Sequence, residues 1–177
     1  MRNNRLKLMV NSALFAALVC ISTMMIQIPS PMNGYVNLGD CFVLISGYAL
    51  GPVYGALAAG TGAMFADIFT GYGYYAPATL IIKSLMAMAA FWTFKGVSKP
   101  FKLTSYIKRS ISGTIAELIM IFGYFLYASL LLGRGLAAAA SIPGNAVQGI
   151  VAIVSSVLVM ELITKNKTIE KYLLNII

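Results

Sequence analysis

Ionisable side chains lie within or at the edge of long apolar stretches of the sequence, and they are the first candidates for chemistry. They are Asp40, Asp67, Lys83 and Glu117. A charge inside apolar surroundings is costly, so such residues face a bundle interior or a polar cavity. Asp67 and Lys83 lie on two predicted helices joined by one short loop. They could form an ion pair between these helices, or one of them could bind a polar ligand. For Glu117, a structural role inside the bundle and a contact with a ligand are equally compatible with the sequence.

Amide and phenol groups add a second set of candidates. Asn145 and Gln148 are three residues apart, which places them on one face of a helix. Amides both donate and accept hydrogen bonds, which suits the edge of a heterocycle, although bonds between helices would use them too. Tyrosines that stack on a flat ligand or form an interfacial aromatic belt are Tyr72, Tyr74, Tyr75, Tyr124 and Tyr127.

Enzyme signatures are absent from the sequence. The chain has no histidine, which excludes Ser-His triads and HExxH zinc sites. It also lacks the GxxxxGK[ST] loop of ATP-binding proteins and the GxSxG turn of hydrolases. Its two cysteines form no CxxC motif and are expected to be free thiols. We therefore expect no catalysis, no metal and no cofactor.

Composition indicates that these groups are positioned by membrane-spanning helices. The 177 residues are 59% hydrophobic and only 10% charged, with a mean hydropathy of +0.84. Soluble domains carry about 25% charged residues, so the surface of this chain must face lipid. The basic residues that give the net charge of +8 lie beside apolar runs. This pattern is typical of membrane proteins, in which basic residues fix the orientation, and it argues against nucleic-acid binding.

The apolar runs predict an all-α membrane protein, a single domain of six transmembrane helices. The predicted spans are 6–28, 40–50, 53–69, 78–94, 111–132 and 144–163, with a break at Gly51-Pro52. Six spans with cytoplasmic termini place eleven of the thirteen Lys and Arg residues inside, all but Lys83 and Arg134. Five spans would turn the basic stretch 95–109 outward. Small residues four apart in the third span predict close helix packing.

An ordered set of motifs resembles the substrate-binding S components of energy-coupling factor (ECF) vitamin transporters, in the riboflavin-transporter-like group. The motifs are YVNLGD at 35–40, LGPVYG at 50–55, ADI at 66–68, YAPAT at 75–79, IIKSLMA at 81–87, GYF at 123–125 and PGNAVQG at 143–149. Each motif is weak alone, and the combination covers most of the chain.

The resemblance implies a vitamin pocket that opens outward, in a protein of six helices with both ends in the cytoplasm. It implies a bacterial inner-membrane location, no ATP hydrolysis by this chain, and docking onto a transmembrane coupling subunit that carries two ATPases. Ala13 and Ala17 match the A-x-x-x-A pattern of the docking helix. The ligand-binding positions implied are Asn37, Asp67, Tyr75, Lys83, Asn145 and Gln148, followed by Glu117 and Tyr124.

The sequence leaves the substrate and two other functions open. Riboflavin is favoured over pyridoxine and hydroxymethylpyrimidine. A structural or assembly subunit of a membrane complex would use the polar residues only for packing. A small membrane enzyme acting on lipid head groups would need clustered carboxylates such as DxxxD, whereas Asp40 and Asp67 stand apart in the sequence.

Overall fold

The computed structural model describes residues 2–30, 34–98 and 103–168. The elements in chain order are helix α1 (Arg2–Met25), strands β1 (Gln27–Ser30) and β2 (Gly34–Asn37), and helices α2 (Gly39–Phe69), α3 (Ala76–Ser98), α4 (Ser105–Leu126) and α5 (Ile142–Lys165). A π-helical turn (Tyr127–Leu131) continues α4, and a 3-10 helix (Gly135–Ser141) leads into α5.

Within these ranges, five helices are long and apolar enough to cross a membrane. The prediction of an almost entirely helical membrane protein is therefore confirmed, whereas the count of six spans is not. The difference lies in α2, a single element of 31 residues that covers both the second and the third predicted span.

A sharp backbone change at Gly51 divides α2 into two helical segments, 39–50 and 52–69. Gly51 has φ 78° and ψ −175°, a conformation open almost only to glycine, and Pro52 fits the first turn of the following segment. The Ser46 hydroxyl donates to the Gly55 carbonyl across 3.1 Å, although a straight helix would separate these residues by about 13 Å. The chain therefore folds back at the break that the sequence predicts.

The folded-back α2 forms the centre of the bundle. Its apolar stretch is 67% buried, against 17–33% in the other four long helices. Gly62 packs against the backbone of Ala16 in α1, and a Cβ on Gly60 would lie 2.6 Å from the Leu80 carbonyl oxygen of α3. The small residues of the second segment therefore serve close packing within the chain, as predicted.

The segment after α1 differs from the prediction. We expected helix to Ile28 followed by an irregular loop, but α1 ends at Met25 and β1 pairs antiparallel with β2, with Gln27 opposite Asn37. Pro29 cannot continue a helix and is tolerated in a two-stranded edge pair. The hairpin holds Tyr35 and Asn37 over the helix ends.

Helix α4 also begins earlier than predicted, at Ser105 instead of residue 111. Its first turn is closed by the Lys108 amide, which donates to the Thr104 carbonyl across 3.1 Å. Arg109 is therefore a helical residue, and it is buried. The basic connection between α3 and α4 is correspondingly shorter than the sequence indicates.

Candidate functional site

A cavity lies where the hairpin meets α1, the second segment of α2 and parts of α3, α4 and α5. Seven of the eight predicted ligand-binding residues line this cavity: Asn37, Asp67, Tyr75, Lys83, Tyr124, Asn145 and Gln148. The fold-back of α2 explains this convergence, because it brings Asp67 at the end of α2 near the residues that begin it.

The buried cation at the cavity, Lys83, pairs with Asp40. Both side chains are almost completely buried, at 3% and 0% exposure. Of the two alternatives that the sequence left open for Asp67 and Lys83, a direct ion pair is not the one formed, because Lys83 pairs with Asp40. Asp40 begins α2 and reaches Lys83 because the two segments of α2 lie against α3.

Gln148 connects the ion pair to the hairpin. Its amide nitrogen donates to Asp40 Oδ2 across 2.5 Å, and its amide oxygen accepts from the Asn37 backbone N–H across 2.8 Å. The Asn37 side-chain oxygen in turn accepts from the Gly39 N–H across 2.8 Å. This polar network fixes the start of α2, the hairpin and α5 relative to one another, and three of its members, Asn37, Lys83 and Gln148, also line the cavity.

Asp67 has one satisfied and one unsatisfied carboxylate oxygen. Tyr35 donates its hydroxyl to Asp67 Oδ1 across 2.5 Å. Burial first, and the charge of Asp67 second, raise the pKa of Tyr35 well above its usual range, so the phenol stays protonated and keeps donating. Asp67 Oδ2 is buried without a hydrogen-bond partner. Asp67 is also one of the residues that line the cavity, so this carboxylate is a candidate acceptor for an N–H or O–H group.

Tyrosine rings form the aromatic wall of the cavity. Tyr75 and Tyr124 meet edge to face, with ring centroids 6.0 Å apart. The Tyr124 hydroxyl lies 3.0 Å from the Thr79 hydroxyl, and the Lys83 ammonium lies 5.3 Å from the centre of the Tyr124 ring. The hydroxyl of Tyr75 accepts from Arg134 across 3.1 Å at the rim. These contacts hold the two rings in place, and ring faces of this kind can stack against a flat group.

Two predicted residues differ in how they relate to the cavity. Asn145 lines it and is 9% exposed, with no side-chain hydrogen bond inside the part of the chain that the structure describes. Glu117 does not line the cavity but lies behind it against Gly149, with both carboxylate oxygens buried and unpartnered. Among the described residues, no group of three or more His, Cys, Asp or Glu is placed to hold a metal ion.

Some of the site could not be recognised as such from the sequence. The cavity is also lined by Thr23, Tyr35, Ala63, Thr79 and Ser141. Tyr35 stands in the YVNLGD motif, which is a usable signal, whereas Thr23 in α1 carries none. Asp40 was a candidate by its charge and ends the YVNLGD motif, but only the fold identifies its partner.

The arrangement supports binding and offers no reaction. Its polar groups both donate and accept hydrogen bonds, its tyrosines offer ring faces, and its cation is neutralised by Asp40. Such a combination suits the binding of a small molecule.

Comparison with known proteins agrees with this geometry. A sequence model of the family described as the ECF-type riboflavin transporter, S component, matches residues 3–165. A Pyrococcus woesei protein described only as an uncharacterized protein in a gap 3' region is 31% identical over 137 residues, which is 77% of this chain and 87% of that protein. A solved structure titled as the S component of a bacterial ECF transporter shares the fold, with a TM-score of 0.70 and 19% identity over 91% of this chain and 97% of the other. The chain therefore belongs to the family of ECF-type riboflavin transporter S components.

Proposed function

We propose that this chain captures a heterocyclic vitamin or vitamin precursor. Riboflavin is the preferred candidate ligand, and pyridoxine and hydroxymethylpyrimidine are the alternatives. It then passes the ligand to a transmembrane coupling subunit powered by two ATPases. As an S component the chain is a substrate-binding transporter subunit and not an enzyme. The observation that carries the choice of a ligand-binding role is the cavity itself, where Asp67 Oδ2 is buried without a partner while tyrosine rings surround it.

Riboflavin fits the donors and acceptors of this cavity. Its ring system has an imide N–H between two carbonyl groups, so it offers both a donor and acceptors along one edge. Asp67 Oδ2 would accept from the N–H, and the Asn145 amide would donate to a carbonyl. The rings of Tyr75 and Tyr124 would contact the flat face. A structural subunit would have no use for a cavity lined by amides, a carboxylate and tyrosine rings.

The membrane topology that we propose has six spans with both termini in the cytoplasm of a bacterial cell. The fold-back of α2 at Gly51 supports two short spans in place of one. Six spans place the central basic stretch on the same side as the N-terminus, in agreement with the positive-inside rule. The cavity then lies at the outer end of the bundle.

The face of α1 that carries Ala13 and Ala17 is the proposed contact with the coupling subunit. Both residues are exposed, whereas Phe15 and Val19 of the same helix are buried in the core. Small exposed side chains allow a partner helix to approach closely. The outward face of α1 is therefore available for docking after the chain has folded.

A ligand screen on the purified chain tests the binding role. Thermal unfolding in detergent is followed with riboflavin, pyridoxine, hydroxymethylpyrimidine and other B vitamins. A ligand at 100 times its dissociation constant adds about 2.7 kcal/mol of stability. We expect a single strong response, which Tyr124→Ala reduces and the matched change Tyr106→Ala at an exposed position leaves intact. Equal responses in both variants would place the ligand elsewhere.

A further inference from the structure

A second cavity lies at the opposite end of the bundle from the vitamin site. It is bounded by the end of α3, the start of α4 and the end of α5, and Phe94, Ser105, Arg109 and Glu161 line it. Arg109 and Tyr124 both belong to α4 and are separated by about 22 Å along the helix. This second cavity is therefore independent of the first.

Arg109 is a buried cation with an unused donor. Its side chain is 5% exposed. Nη1 donates to Glu161 Oε1 across 2.7 Å, while Nε is buried and has no hydrogen-bond partner. The guanidinium lies 5.9 Å from the centre of the Phe94 ring, which fixes its plane. A guanidinium held in this way presents a fork of N–H groups that matches the oxygens of a carboxylate or phosphate.

The surroundings of Arg109 favour a phosphate. Ser105 contributes a hydroxyl group to the same cavity, and phosphate oxygens accept hydrogen bonds from such groups. Lys95 stands in the last turn of α3 and Lys165 in the last turn of α5. Glu161, with 37% of its side chain exposed, is the carboxylate that an incoming anion would compete with for Arg109.

The cavity also lies at the depth of the membrane interface. Trp92 and Tyr106 are 59% and 52% exposed, and each is within two residues of a lining residue, Phe94 or Ser105. Exposed Trp and Tyr mark the level of lipid head groups, and basic pockets between helices at this level bind anionic head groups. The phosphate of a lipid, whose acyl chains hold it at this depth, therefore matches the position of the cavity better than a free phosphate ion does.

We infer that this second cavity binds the phosphate group of an anionic phospholipid, with Arg109 as the principal donor and Glu161 as the group displaced. Such a lipid would hold the ends of α3, α4 and α5 together. The inference does not depend on the identity of the vitamin, because the two cavities share no residue.

The test compares water-soluble short-chain lipids on the purified full-length chain. Phosphatidylglycerol, phosphatidylcholine of the same chain length and inorganic phosphate are titrated separately, and thermal stability is measured. We expect phosphatidylglycerol to stabilise the protein and the other two to have little effect. Equal effects of the two lipids would overturn the inference, and so would an equal effect of inorganic phosphate, which would indicate a soluble anion.

Variants connect the effect to Arg109. Arg109→Gln should weaken phosphatidylglycerol binding about tenfold, the loss expected for hydrogen bonds to a charged group. The neighbouring Lys108→Gln removes the same charge and should change affinity less than about twofold. Glu161→Gln should tighten binding, because it removes the competing carboxylate, and it serves as the test if Arg109→Gln fails to fold. Equal losses in Lys108→Gln and Arg109→Gln, or weaker binding by Glu161→Gln, would contradict the assignment.

Discussion

Removing the ammonium group of Lys83 is expected to destabilise the protein strongly, even without ligand. Asp40 is completely buried and is paired with Lys83. After Lys83→Met, the carboxylate keeps the hydrogen bond from Gln148 and loses its counter-charge. Removing one partner of a buried ion pair costs about 3–5 kcal/mol, because the remaining charge is uncompensated.

Thermal unfolding of the purified chain in detergent measures this loss. For a chain of this size, each kcal/mol corresponds to about 2–4 °C, so Lys83→Met should lower Tm by roughly 6–20 °C. Lys95→Met is the matched control, because Lys95 lies on the same helix and is exposed. An exposed substitution of this kind changes stability by less than about 0.5 kcal/mol.

A double variant distinguishes a coupled pair from two independent residues. Asp40→Asn combined with Lys83→Met leaves no charge in the pair, so most of the stability lost in Lys83→Met should return. If the losses of the two single variants simply add, Asp40 and Lys83 do not interact. If Lys83→Met behaves like Lys95→Met, the pair is not buried and the description of the network is wrong.

Two further predictions concern the α2 break and the docking face. Gly51→Ala should destabilise the protein by about 1–3 kcal/mol, because alanine is strained at this positive φ. Gly96→Ala, in a helix with open space around it, should be neutral or slightly stabilising in the same unfolding assay. Ala13→Trp should abolish vitamin uptake by the assembled transporter while ligand binding to the purified chain persists. Leu162→Trp, at an exposed position of α5, should affect neither, and uptake that survives Ala13→Trp would disprove the docking assignment.

Helix content and the α2 break could be predicted because their signals are local. Long apolar runs require helices in lipid, and Gly51-Pro52 interrupts one of them. The β-hairpin could not be predicted in this way, because each strand has only four residues and no hydrophobic alternation that separates it from a loop. Its register depends on contacts with the helix ends, which are remote in the sequence.

The partner of Lys83 shows the same limit at the site. Asp67 was the nearer acid in the sequence, across one short loop, so the sequence offered it as a possible partner and did not indicate Asp40. Asp40 becomes the partner only because α2 folds back and returns both its ends to one level of the bundle. Glu117 was correctly expected to be buried, but a helical period does not tell whether a side chain lines a cavity or lies behind it.

Titration of riboflavin into the purified chain tests the central claim most directly. Stacking on tyrosine should quench flavin fluorescence, and the signal should saturate at one ligand per chain. Asn145→Ala should weaken binding about tenfold, since it removes polar contacts inside a buried site, while Asn11→Ala in α1 should leave it unchanged. Saturable binding with this pattern is the result that we predict. A folded chain that binds neither riboflavin nor any vitamin of the screen would contradict the proposal that this cavity captures a vitamin.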